Sequence, residues 1–67
     1  MMPSHMATKI LALRAERGWS QPQLARRAKV SQAYVAQLET GARQNPSLPT
    51  LRRIAKALGV PVAELLA

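Results

Sequence analysis

The chain has 67 residues, no cysteine and a single histidine, His5, beside its N-terminus. That length allows one small domain, and the composition excludes a disulfide scaffold, a zinc finger, a cysteine nucleophile and any catalytic triad resting on a positioned histidine, which argues against an enzyme and against a metal or other cofactor. Ten Lys/Arg against three Asp/Glu give a net charge of +7, yet 48% of the residues are hydrophobic, so the chain is not a disordered basic tail.

In chain order, the start lacks the apolar region of a secretory signal, and no later stretch approaches the ~20 apolar residues that span a bilayer. The expected location is therefore cytoplasmic. Ser4-His5-Met6 resembles the remnant of a cloning vector. Residues 1–7 are read as an N-terminal extension, vector-derived in part, and 8–67 as the domain.

Gly, Pro and Ser/Thr punctuation divides that domain into about five short helices. The first is expected from about Thr8 to Arg17, with Ile10, Leu11 and Leu13 apolar, stopping at Gly18. Ser20 reads as the N-cap of a second helix over about 21–28, with Gln23 completing a capping box and Pro22 in the tolerant first turn. Leu24, Ala25 and Ala28 are its core residues. Ser31 offers the next cap, for a third helix reaching about Glu39, with Val35 and Leu38 on one face and Gly41 as its stop.

A loop with an Asn45-Pro46 turn signal leads to Ser47, the expected cap of a fourth helix over about 48–58. Its residues Leu51, Ile54, Ala55 and Leu58 recur at helical spacing, and Gly59 ends it. A last short turn from Pro61 to Leu66 carries Val62, Leu65 and Leu66, which with Val60 suit either closing the core or a dimer seam. No segment alternates with period two long enough to make a strand. The expectation is an all-α, compact five-helix bundle.

A basic chain that folds suggests a polyanionic partner, either nucleic acid or an anionic membrane surface. A membrane-surface role needs a longer helix with one strongly apolar face, and these helices are short and consumed by the core. The second and third helices, joined by a tight turn, match a helix-turn-helix spanning about 21–39, whose second member over about 32–39 suits a DNA major groove.

Five segments in this order resemble the Cro/C1-type (XRE) helix-turn-helix family of phage repressors, restriction–modification controllers and antitoxins. They are Trp19-Ser20-Gln21-Pro22-Gln23-Leu24-Ala25, Val30-Ser31-Gln32, Val35-Ala36-Gln37-Leu38-Glu39-Thr40-Gly41, Asn45-Pro46-Ser47-Leu48 and Leu51 through Val60. The resemblance covers about residues 8–66 and implies a lambda repressor-like DNA-binding domain.

What the resemblance implies extends to single positions. Gln32, Ala33 and Gln37 match the base-reading positions of the recognition helix. A glutamine pairs with adenine N6/N7 and an alanine methyl meets a thymine methyl, which predicts some A·T preference. Gln21 matches a phosphate-binding glutamine at the start of the second helix, and Arg43 and Gln44 match the phosphate-contacting loop. Ser31 and Tyr34 join this phosphate set; packing alone is the competing role for Tyr34.

Arg26, Arg27 and Lys29 form a secondary basic surface, while Arg52, Arg53 and Lys56 lie further away and serve long-range steering. Arg14 and Glu39 match a structural ion pair of the family. Trp19 stands where the family carries a smaller apolar residue, and packing against the second helix is its expected role.

The resemblance thus implies a sequence-specific regulator of double-stranded DNA, a repressor bound as a homodimer to a palindromic operator, in a bacterial or phage setting at the nucleoid. Activation is equally compatible with the residues. The alternative is an antitoxin or docking module of the same fold whose main partner is a protein, such as a toxin or a polymerase.

Overall fold

The computed structural model describes residues 5–66. Five helices follow one another: α1 (His5–Glu16), α2 (Gln21–Ala28), α3 (Gln32–Thr40), α4 (Leu48–Leu58) and α5 (Val62–Leu66). No strand occurs among the described residues. In space α3 packs on α1 and α2, α4 packs on α2, and α5 closes the bundle against α1 and α4.

The starts of α2, α3 and α4 each rest on a side-chain cap. Ser20 accepts from the Gln23 amide N–H at 3.3 Å while its own N–H donates to Gln23 Oε1 at 2.7 Å, a complete capping box. Ser31 Oγ accepts from Tyr34 N–H at 3.0 Å, and Ser47 Oγ from Thr50 N–H at 3.4 Å. Both cap residues have extended backbone.

Three of the helix ends share one closure. After α1, α2 and α4 a residue in the left-handed region turns the chain, and the next residue's N–H reaches back five positions: Trp19 to Arg14 O, Val30 to Ala25 O, Val60 to Ala55 O. That is the Schellman pattern, which usually places an apolar side chain just past the turn. Trp19, Val30 and Val60 all pack against the core. Gly18 and Gly59 take the left-handed residue in two cases, whereas Lys29 takes it after α2, with φ 60°.

The core gathers Ile10 and Leu13 from α1, Leu24, Ala25 and Ala28 from α2, Val35 and Leu38 from α3, Leu51, Ile54, Ala55 and Leu58 from α4, and Leu65 from α5. Of the residues open to either core closure or a dimer seam, Leu65 is buried, Val60 and Val62 pack on the core, and Leu66 is exposed. Leu11 is exposed as well: one residue past Ile10 it lies about 100° around the helix from the Ile10–Leu13 stripe.

The first helix differs from its expected start. α1 opens at His5, three residues ahead of Thr8, because Ala7 continues the apolar stripe one turn before Ile10 and is fully buried, while Met6 packs against the core. His5 Nε2 also lies 3.3 Å from Glu64 O. Of the stretch assigned to a vector remnant, Ser4 lies outside the described residues, while His5 and Met6 are helical whatever their origin. At the other boundaries α3 runs one residue further, to Thr40, and α5 begins at Val62.

Candidate nucleic-acid interface

α3 presents two faces of opposite character. Val35, Leu38 and Glu39 point inward and are buried. Gln32, Ala33 and Gln37 are exposed and Tyr34 is half-buried at the helix start. The three positions matched to base readers therefore share the solvent side.

The helix is fixed at its inner face by a single carboxylate. Arg14 of α1 donates from Nε to Glu39 Oε2 at 2.6 Å and from a terminal nitrogen to Glu39 Oε1 at 3.0 Å. Its other terminal nitrogen donates to Trp19 O at 2.7 Å. The side chains of Arg14 and Glu39 are 18% and 2% exposed, so this pair is shielded where a surface pair would be screened. Hydrogen bonding to Glu39 raises the Arg14 pKa above the usual arginine range, against the opposing effect of burial.

Gln21, matched to a phosphate contact, also reaches this carboxylate, with Nε2 donating to Glu39 Oε1 at 3.0 Å. Glu39 thus ties α1, the start of α2 and the end of α3 to one point, and it orients the Gln21 amide at the N-terminus of α2. Helix spacing alone did not disclose this link, because the residues lie 18 apart in sequence.

The loop after α3 folds back on it. Arg43 N–H donates to Gln37 O at 3.0 Å, Arg43 Nε donates to Gln37 Oε1 at 3.0 Å, and the guanidinium lies 4.7 Å from the Tyr34 ring centroid. Gln44 Nε2 donates to Gly41 O at 3.2 Å, supplying a partner to a carbonyl past the helix end. Arg43, Gln37 and Tyr34 form one cluster at the edge of the reading face, a grouping that the separate base and phosphate assignments missed.

The remaining cations gather elsewhere. Arg27 and Lys29 at the end of α2 line a shallow groove together with Arg53 and Lys56 of α4, so residues assigned to a secondary surface and to distant steering share one basic patch. Arg27 also stacks over Trp19 at 4.3 Å, with Arg17 at 6.0 Å from the same ring. Trp19 therefore packs on the core and also carries cations at its ring. Its size, unexpected for a residue packed past a helix end, gives Arg27 that platform.

Among the described residues no group of His, Cys, Asp or Glu is arranged to hold a metal ion. No helix among the described residues is long and apolar enough to cross a membrane.

The geometry is that of a helix-turn-helix domain, and the comparisons agree. The helix-turn-helix family model matches residues 10–65. The immunity repressor of Bacillus phage phi105 is 46% identical over 57 residues, 85% of this chain and 39% of that protein. SinR, the biofilm master regulator of Bacillus subtilis, solved in complex with DNA, superposes with a TM-score of 0.89 at 32% identity, over 92% of this chain and 98% of the solved one. The restriction–modification controller protein C.AhdI of Aeromonas hydrophila gives a TM-score of 0.85 at 33% identity, over 91% of each chain.

The chain belongs to the Cro/C1-type (XRE) helix-turn-helix family of DNA-binding transcriptional regulators, a non-enzymatic family. It spans about two fifths of the phage repressor's length.

Proposed function

We propose that this protein binds double-stranded DNA sequence-specifically as a homodimer on a palindromic operator and represses transcription by occupying it. The observation that supports this best is the division of α3 into a buried Val35–Leu38–Glu39 face and an exposed Gln32–Ala33–Gln37 face. A helix so held can enter the major groove, with half-sites about one turn (~34 Å) apart.

In this reading Gln32 pairs with adenine N6/N7 and Ala33 meets a thymine methyl. Gln21, Ser31, Tyr34, Arg43 and Gln44 contact phosphates, which sets register without reading sequence. The net charge of +7 steers the domain to DNA, and the Arg26–Arg27–Lys29 surface adds to that field. The setting is the cytoplasm of a bacterium, at the nucleoid.

Selection from random duplex DNA with the purified protein at ~150 mM salt tests the proposal, since phosphate-only binding is weakened there. Enrichment of a palindrome is expected. A protein that enriches no sequence contradicts it and directs the search to a protein partner.

A further inference from the structure

We propose that Arg43 is a specificity-determining residue, because its grip on Gln37 makes that glutamine select guanine where an unrestrained glutamine would favour adenine. The inference rests on α3 reading the major groove as described above, and it assigns Arg43 a task beyond phosphate binding.

The argument starts from donors and acceptors. A glutamine amide carries one carbonyl oxygen and one NH₂ group, and it reads adenine by using both: the oxygen accepts from N6 and the NH₂ donates to N7. A guanidinium has donors only. The Gln37 atom that meets Arg43 Nε at 3.0 Å must therefore be the oxygen, which fixes how the amide is turned. Oε1 keeps a second lone pair, but a guanidinium beside it disfavours the approach of another donor and favours acceptors, so the NH₂ group is what Gln37 best offers a base. Guanine presents two adjacent acceptors in the major groove, N7 and O6, and no donor on that edge. Adenine's N6 amine would instead have to share that oxygen with the Arg43 cation.

Arg43 is well placed to hold this arrangement. Its backbone N–H is fastened to Gln37 O at 3.0 Å and its guanidinium lies 4.7 Å from the Tyr34 ring centroid. Backbone and ring thus constrain the side chain from two sides, which lowers the entropy cost of the bond from Nε. Because Nε makes that bond, the terminal nitrogens remain for a phosphate, and the two tasks are compatible.

The test is the same random-duplex selection, run in parallel on the parent, Gln37→Ala, Arg43→Ala and Arg43→Lys. Gln37→Ala identifies the base pair that Gln37 reads, as the position whose preference relaxes. The parent should prefer guanine over adenine there by roughly 5- to 100-fold, the range of one good base contact. Arg43→Ala should move that position to adenine and leave the base read by Gln32 unchanged. Arg43→Lys, which restores a donor, should restore guanine.

A parent preference for any base other than guanine at that position overturns the inference while leaving the DNA-reading proposal intact. Guanine retained in Arg43→Ala overturns it too, as does a failure of Arg43→Lys to recover any guanine preference. A parent that selects no sequence removes both proposals together.

Discussion

Arg14 and Glu39, 25 residues apart, meet through two hydrogen bonds of 2.6 and 3.0 Å at the junction of α1 and α3. Glu39 is the only buried charged residue among those described, and it also holds Gln21. Removing the carboxylate would leave a guanidinium largely shielded from water, with Trp19 O as its remaining acceptor. Loss of one partner of a buried pair costs about 3–5 kcal/mol, and the partial exposure of Arg14 places this case near the lower bound.

Glu39→Ala is therefore expected to destabilise the fold by about 3 kcal/mol, a fall in Tm on the order of 12–24 °C for a domain of this size. The comparison is Glu64→Ala. Glu64 pairs with Lys9 at 3.4 Å, with side chains 46% and 33% exposed, and such pairs contribute about 0–1 kcal/mol. Thermal melts of the two variants measure the difference, and equal Tm values would refute the role given to Glu39.

The pH dependence of the same pair has a definite sign. The Arg14 pKa is raised on folding, chiefly by its hydrogen bonds to Glu39. A raised pKa gives stabilisation that is complete below the unfolded value and is lost only as pH rises through the folded one. Both lie above the usual working range. The stability difference between the parent and Arg14→Met should stay constant between about pH 7 and pH 10. Denaturant titrations across that window test it, and a steady decline would contradict it.

Lys29 supplies a prediction in the opposite direction. It holds a left-handed backbone with φ 60° where α1 and α4 use glycine for the same closure. A side chain in that conformation costs about 1–2 kcal/mol, part of which glycine returns in greater unfolded-state freedom. Lys29→Gly should raise stability by about 0.5–1 kcal/mol while removing one cation from the groove shared with Arg53 and Lys56. Unchanged or lower stability in a urea titration would show that the turn is not strained.

Base and phosphate contacts separate by their salt response. Gln32→Ala should lower affinity for the selected duplex by about 1–3 kcal/mol and leave binding to unrelated DNA nearly intact. Arg26→Ala, which removes one cation from the basic surface of α2, should weaken all sequences alike and flatten the salt slope by at most roughly one unit. Binding isotherms at several salt concentrations distinguish them. Equal losses on both duplexes for Gln32→Ala would take that residue off the reading edge.

Much of this fold is legible because its punctuation is local. Ser20, Ser31 and Ser47 cap within three residues of themselves, and Gly18, Gly41 and Gly59 end helices where their backbone freedom is required, so four of five helices fall within a residue or two of expectation. The start of α1 is the exception. No strong cap marks it, and Ala7, which continues the Ile10–Leu13 spacing by one turn, is a small residue that carries a weak apolar signal.

At the site, the outward placement of Gln32, Ala33 and Gln37 follows from helical period alone. Arg14 with Glu39 entered only through family resemblance, and the geometry joins them. What stayed hidden were contacts between polar side chains on different elements: Gln21 with Glu39, Arg43 with Gln37 and Tyr34, and Arg27 over Trp19. Exposed polar residues carry no periodic signature of their partners, so only the folded arrangement pairs them.

The central claim is that α3 is the surface that meets DNA. The most direct measurement is an NMR titration of the ¹⁵N-labelled protein with the duplex enriched by selection, at ~150 mM salt, where long-range attraction is screened. The account predicts the largest shifts at Gln32, Ala33 and Gln37, with Gln21 and Arg43 next and α5 unmoved. Largest shifts at Arg27, Lys29, Arg53 and Lys56, with the α3 residues unchanged, would contradict it.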